Sequence, residues 1–217
     1  MKNVLMVLAL MGAAGSAMAY DVPASQVRGV SLDQLVGGGS YDARVAPVYS
    51  GIPGPYSAFA AATGAAGFDD YTSTVTGGAF TIASLRFVGG VAQANGTMRI
   101  NFYNPDATLA TFANITLPSA GDFIWTITFG TLPDGSDSAF VVPSAGFMEM
   151  VVGAGFTGRW FFTTTAPTVG SNNIAVGTGS TLNPQRRSAF ELNAVPSPAS
   201  LALLGVGGLM VTRRRRA

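Results

Sequence analysis

From Phe68 onward, apolar and polar residues alternate with a period of two. Phe123, Trp125, Ile127 and Phe129 alternate with Ile124, Thr126 and Thr128, the pattern of a strand with one face in a core. The same pattern sets Met98, Ile100 and Phe102 against Thr97, Arg99 and Asn101. It also sets Met148, Met150 and Val152 against Phe147, Glu149 and Val151. Trp160 and Phe162 alternate with Arg159 and Phe161. Phe190, Leu192 and Ala194 alternate with Glu191 and Asn193, which predicts a last strand closing the domain. Between Phe80 and Phe87 the apolar phase shifts from Ile82 to Leu85, which predicts a bulge near Ala83 or Ser84.

Turn signals separate these runs: Asn95-Gly96, Asn104-Pro105-Asp106, Pro133-Asp134-Gly135 and Gly153-Ala154-Gly155. Pro-Ser-Ala-Gly occurs at 118 and again at 143, one turn chemistry used twice. The spacing predicts an all-β domain over 68–194, an antiparallel β-sandwich of jelly-roll-like character. Residues 20–67 are weakly patterned, with Gly37-Gly38-Gly39 and Gly51-Ile52-Pro53-Gly54-Pro55, and read as loops with one or two short strands.

The two ends follow other rules. Lys2 precedes an apolar run from Val4 to Met11, and Ala17 and Ala19 form a small-residue cleavage site before Tyr20. This is the layout of a secretory signal helix over 1–19, removed on export. At the other end, Val195-Pro196-Ser197-Pro198 leads into an apolar segment over 199–212 and then Arg213, Arg214, Arg215 and Arg216. As a helix, 199–212 spans about 21 Å against a hydrocarbon core of about 30 Å, a short membrane anchor. The arginine block places the C-terminus on the cytoplasmic side and the domain outside.

This tail resembles the PEP-CTERM sorting signal of bacterial envelope proteins. The family's usual opening is Val-Pro-Glu-Pro, and here Ser197 stands in place of the glutamate. Leu201-Ala202-Leu203-Leu204-Gly205, Gly207-Gly208 and the arginine block fit the rest of the pattern. The resemblance covers 195–217. It implies recognition by an exosortase-like membrane protease, processing near Pro196-Ser197-Pro198, and release or attachment at the cell surface alongside exopolysaccharide. Phe68-Asp69-Asp70-Tyr71-Thr72 followed by Phe80 to Val88 is similar to the opening strands of lectin-like jelly-roll domains, and carries no catalytic residue across.

Composition then narrows the chemistry. The chain has neither cysteine nor histidine, which excludes disulfides, thiolate chemistry, histidine triads and most zinc or copper sites. Between Tyr20 and Ala194 lie seven arginines, eleven acids and no lysine, a net charge of −4. Nucleic acid, which demands a basic stripe, is not an expected partner. Asp69, Asp70 and Asp106 are candidate calcium ligands, because loop aspartates are hard oxygen donors. Aspartate in turns also has a local explanation, since its side chain bonds nearby backbone. Tyr71 and Tyr103, with Phe147 and Phe161, fall on phases opposite the expected core and are candidates for a glycan platform. Glu149 and Glu191 are the domain's two glutamates, and glycoside hydrolysis requires a carboxylate pair. The leading expectation is a non-enzymatic envelope or matrix protein with a structural or adhesive role. A carbohydrate-binding module for exopolysaccharide is the second, and a carboxylate glycosidase the third.

Overall fold

A computed structural model describes residues 18–32, 47–52, 54–61, 66–130, 140–172, 175–176, 182–183 and 187–195. Residues 1–17 of the signal segment expected over 1–19, Ala17 among them, and residues 196–217 of the tail expected over 195–217 lie outside the described residues. Among the described residues no helix is long and apolar enough to cross a membrane.

The chain forms β1 (Met18–Asp21), a 3-10 turn (Ala24–Gln26), β2 (Val27–Ser31), β3 (Pro47–Ser50), β4 (Tyr56–Ala61) and β5 (Ala66–Thr72). It continues with β6 (Ala79–Val91), β7 (Gly96–Tyr103), β8 (Leu109–Leu117), β9 (Gly121–Thr128), β10 (Val141–Pro143) and β11 (Ala145–Val152). The remaining strands are β12 (Gly158–Thr163), β13 (Ala175–Val176), β14 (Leu182–Asn183), β15 (Arg187–Ser188) and β16 (Phe190–Ala194). They make two sheets. One has seven strands in the order β1-β8-β7-β11-β5-β13-β14. The other has nine strands built around β6, which pairs with β9, β10, β12 and β16. This is a β-rich, two-sheet architecture consistent with a β-sandwich.

Most connections after β5 change sheets. The chain passes from one sheet to the other at β5 to β6, β6 to β7, β8 to β9, β10 to β11 and β11 to β12, whereas β7–β8 is a hairpin within one sheet. Both Pro-Ser-Ala-Gly segments sit at such crossings. Gly121 and Gly146 end them at φ of +115° and +155°, a backbone conformation that L side chains rarely adopt. A Cβ on Gly146 would lie 2.0 Å from the Tyr103 carbonyl oxygen, so the crossing there also requires a missing side chain.

The bulge forms where the sequence places it. Asn193 pairs with Ser84 and Ala194 with Ile82, so Ala83 is the extra residue and the buried phase moves from Ile82 to Leu85. Two expectations need correction. Residues 20–67 supply β2, β3 and β4 and part of β1 and β5, with strands in both sheets. Their short, Gly- and Ala-rich runs carry too little alternation to be read as strands alone. The two-sheet architecture is also not wholly antiparallel, because β1 adds to the edge of β8 in parallel register, Tyr20 opposite Ala113 and Asp21 opposite Asn114. Cleavage before Tyr20 would leave those two residues in this strand.

The core lies between the sheets. Tyr71 and Phe102 of the seven-stranded sheet meet Tyr49, Trp160 and Phe190 of the other, with the Tyr71–Phe190 ring centroids 6.1 Å apart and Tyr49–Phe190 4.6 Å apart. Such pairs contribute about 0.5–1.5 kcal/mol each beyond their buried area. Tyr71 is 1% exposed and donates its hydroxyl to the Pro143 carbonyl at 2.8 Å. A smaller apolar cluster of Ile52, Val88, Ile124, Phe161 and Ala189, packed with Leu32 and Tyr56, stands apart from this core.

Beside the aromatic centre is a fully buried carboxylate. Asp69 Oδ2 accepts from the Ser188 backbone N–H at 2.6 Å and from Asn172 Nδ2 at 3.4 Å, tying β5 to β15 of the opposite sheet. Asp69 Oδ1, Tyr49 Oη and Ser188 Oγ are buried without a hydrogen-bond partner. Burial pushes the Asp69 carboxyl well above the usual range and Asp70 adds to this, while the bonds from Ser188 and Asn172 pull the other way. The folded chain therefore holds the Asp69 proton more tightly than the unfolded chain. Stability from this group is greatest below its unfolded value of about 3.9 and declines as pH rises toward the raised folded value. Asp69→Asn keeps an acceptor for both donors and removes the charge. The expected result is a melting temperature at pH 7 higher by roughly 2–8 °C, a gain of about 1–2 kcal/mol, and a flatter pH profile above pH 4. Differential scanning calorimetry from pH 4 to 8 checks both. Gly146→Ala is expected to cost about 3 kcal/mol or more in a urea melt, because its Cβ meets backbone.

Candidate surface on the seven-stranded sheet

Alternation along β7 buries Met98, Ile100 and Phe102 and turns Arg99, Asn101 and Tyr103 to the opposite face. On β11 the inward residues are Met148, Met150 and Val152, which sets Phe147, Glu149 and Val151 beside them on that outer face. On β8, Ala113, Ile115 and Leu117 face the core, so Phe112 and Asn114 face outward.

Register then assembles the surface. Asn101 lies opposite both Glu149 and Phe112, and Arg99 lies opposite Asn114. Glu149 Oε2 accepts from Asn101 Nδ2 at 2.7 Å and from the Tyr103 hydroxyl at 2.6 Å. Arg99 Nε donates to Asn101 Oδ1 at 2.7 Å, and its guanidinium carbon sits 3.7 Å from the centroid of the Phe112 ring. Asn114 Nδ2 donates to Asp21 Oδ1 at 2.7 Å and extends the polar row to β1. Asn101 is 5% exposed despite its outward phase, because Arg99 and Glu149 both close over it. Burial raises the Tyr103 hydroxyl above its ordinary range. The hydrogen bond to Glu149 and that residue's charge raise it further, and Arg99 opposes them. Tyr103 is thus a fixed neutral donor, and Glu149 is an acceptor with Oε2 occupied.

Of the residues expected to form a glycan platform, Tyr103 and Phe147 share this face as cross-strand neighbours. Tyr71 does not, which corrects that expectation: β5 turns Asp69 and Tyr71 inward and Asp70 outward, and the Tyr71 ring is enclosed by aromatic residues of both sheets. Phe161 lies in the smaller apolar cluster, 8% exposed beneath Tyr56. Tyr71 shares the inward face of β5 with Asp69, and packing between the two sheets claims its ring.

The three aspartates considered for calcium do not converge. Asp69 is in the core and Asp70 on the outer face. Asp106 sits at the exposed β7–β8 turn, bound to the Thr108 hydroxyl and backbone N–H, which hold its carboxyl below the usual range. Among the described residues no group of three or more acidic side chains is placed to hold a metal ion. Glu191 lies on the nine-stranded sheet, paired with Arg86 at 3.1 Å and with the Ser50 hydroxyl at 2.8 Å. Glu149 and Asp70 occupy diagonal positions on the outer face, since Asp70 is opposite Phe147.

Arg99, Asn101 and Phe112 were not singled out by sequence. The alternation of β7 groups Arg99 and Asn101 with Tyr103, but Phe112 joins them only through the β7–β8 register. Glu149→Gln removes the acceptor charge, so the Tyr103 hydroxyl is expected to titrate lower than in the wild type while staying above an exposed tyrosine. Carbon-13 NMR of ring-labelled tyrosine checks this, and no change would show that burial alone sets it.

No protein-family model, curated protein or solved structure matches this chain.

Proposed function

We propose that this chain is an exported cell-surface or extracellular-matrix protein with a structural or adhesive role, sorted by an exosortase-type C-terminal signal. Its body is a jelly-roll-like sandwich, a reading supported by the repeated crossing of the chain between two sheets. The observation that carries the proposal is the junction of body and tail. β16 ends at Ala194, and the Val195 N–H still bonds the Thr81 carbonyl at 2.9 Å, immediately before Pro196-Ser197-Pro198. Among the described residues the last strand is complete at Ala194, next to the start of the sorting motif, which supports a tail that is handled separately from the sheet. In this reading the signal segment 1–19 is removed at export. The C-terminus starts on the cytoplasmic side, and an exosortase-like membrane protease acts near 195–198.

A second reading, carbohydrate binding to exopolysaccharide, is favoured by the outer face of the seven-stranded sheet. Tyr103 and Phe147 offer ring faces, and Glu149 and Arg99 offer planar polar groups beside them, the combination that sugar binding uses. This is the means of adhesion within the same function. A glycosidase would need Glu149 and Asp70 to act across one bond, and loss of glycan turnover in Glu149→Gln would be its signature.

Terminal-peptide mass spectrometry of the native protein, from membrane and medium fractions separately, tests the sorting proposal. The expected mature chain starts at Tyr20 and ends between Val195 and Pro198. A membrane-bound chain still ending in Arg216 and Ala217 contradicts processing.

A further inference from the structure

We infer that the outer face of the seven-stranded sheet takes acidic glycans of the uronate type, with Arg99 receiving the sugar carboxylate; this rests on the carbohydrate-binding reading and names its ligand class. Arg99 is held from two directions. One face of its guanidinium lies on Phe112, 3.7 Å from the ring centroid, and its Nε donates to Asn101 Oδ1. Asn101 is itself locked by its bond to Glu149. These contacts use one of the five guanidinium N–H groups. Among the described residues nothing takes the other four.

Among the described arginines two pair directly with a carboxylate, Arg86 with Glu191 at 3.1 Å and Arg159 with Asp122 at 3.0 Å. Arg99, like Arg187 on Asn172, bonds an amide that in turn bonds a carboxylate. It makes no direct ion pair among the described residues, and the carboxylate one amide away already accepts two hydrogen bonds. A planar guanidinium fixed by stacking matches a carboxylate with two parallel hydrogen bonds, and loses little side-chain freedom when it does so. Glu149 Oε1, which accepts neither Asn101 nor Tyr103, is placed to take a sugar hydroxyl. A uronate residue offers both a carboxylate and hydroxyls. A neutral sugar offers the fork hydroxyl acceptors but not the charge-assisted pair.

The test titrates the full chain against immobilised alginate, polygalacturonate and hyaluronate, and against the same three polymers after reduction of their carboxylates to alcohols. Binding to at least one native polymer is expected, at least about tenfold tighter than to its reduced form. Arg99→Gln should weaken that binding to a similar extent, and Arg99→Lys, which keeps the charge but not the fork, should restore only part of it. Phe112→Leu, which keeps an apolar cover without a ring, should weaken it as well. Arg28→Gln removes an exposed arginine from the other sheet and should leave binding unchanged, with the melting temperature of each variant confirming that it is folded. Equal binding to native and reduced polymers overturns the acidic assignment and keeps the glycan reading. Equal loss in Arg28→Gln and Arg99→Gln overturns it too, as general charge attraction. Binding to none of the six polymers overturns both.

Discussion

The surface proposed to bind glycan depends on a constraint set on the other side of the same strands. Met98, Ile100 and Phe102 are locked into the core, so Arg99, Asn101 and Tyr103 have only one face left to occupy. Met150 and Met148 fix Glu149 in the same way. Because side chains alternate with a period of two, a slip of one residue would bury an arginine and expose a phenylalanine. Apolar burial, at about 25 cal/mol per Å², forbids that slip far more strongly than the polar contacts on the surface do. The surface is precise because the core beneath it is.

The same logic explains how the two sheets stay aligned. Tyr71 and Phe190 meet across the sandwich, and Asp69 reaches from β5 to the backbone of β15. The aromatic contact adds to the adhesion of the apolar core, whereas the carboxylate supplies direction at an energetic cost, since one of its oxygens is buried with no partner. Arg187 donates to Asn172, which in turn donates to Asp69, so the polar link is relayed and not a direct ion pair. The seam is therefore specific in register and sensitive to proton binding.

Much of the fold was legible in the sequence. The strands around Trp125, Ile100, Met150 and Leu192 followed from alternation, as did the bulge at Ala83. The early strands were not, because Val27 to Ser31 and Pro47 to Ser50 are too short for a period to emerge and draw their pairing from distant β9 and β16. The site was half legible. Tyr103 and Glu149 stand on readable phases, but their hydrogen bond joins residues 46 positions apart and is fixed only by the β7–β11 register. Arg99 shares the readable phase of Tyr103, but nothing in its neighbourhood announces that Phe112 will lie beneath it. Tyr71 shows the reverse failure: aromatic residues attract a binding interpretation, while two-sheet packing claims most of them for the core.

The most direct test of the central claim is an NMR map of amide and side-chain shifts in the full chain as a bound uronate oligosaccharide is titrated in. The account predicts perturbations grouped on Arg99, Asn101, Tyr103, Phe112 and Glu149, with Tyr71 and the buried residues between the sheets unmoved. Perturbations gathered instead on the nine-stranded sheet, around Arg86 and Glu191, would contradict it.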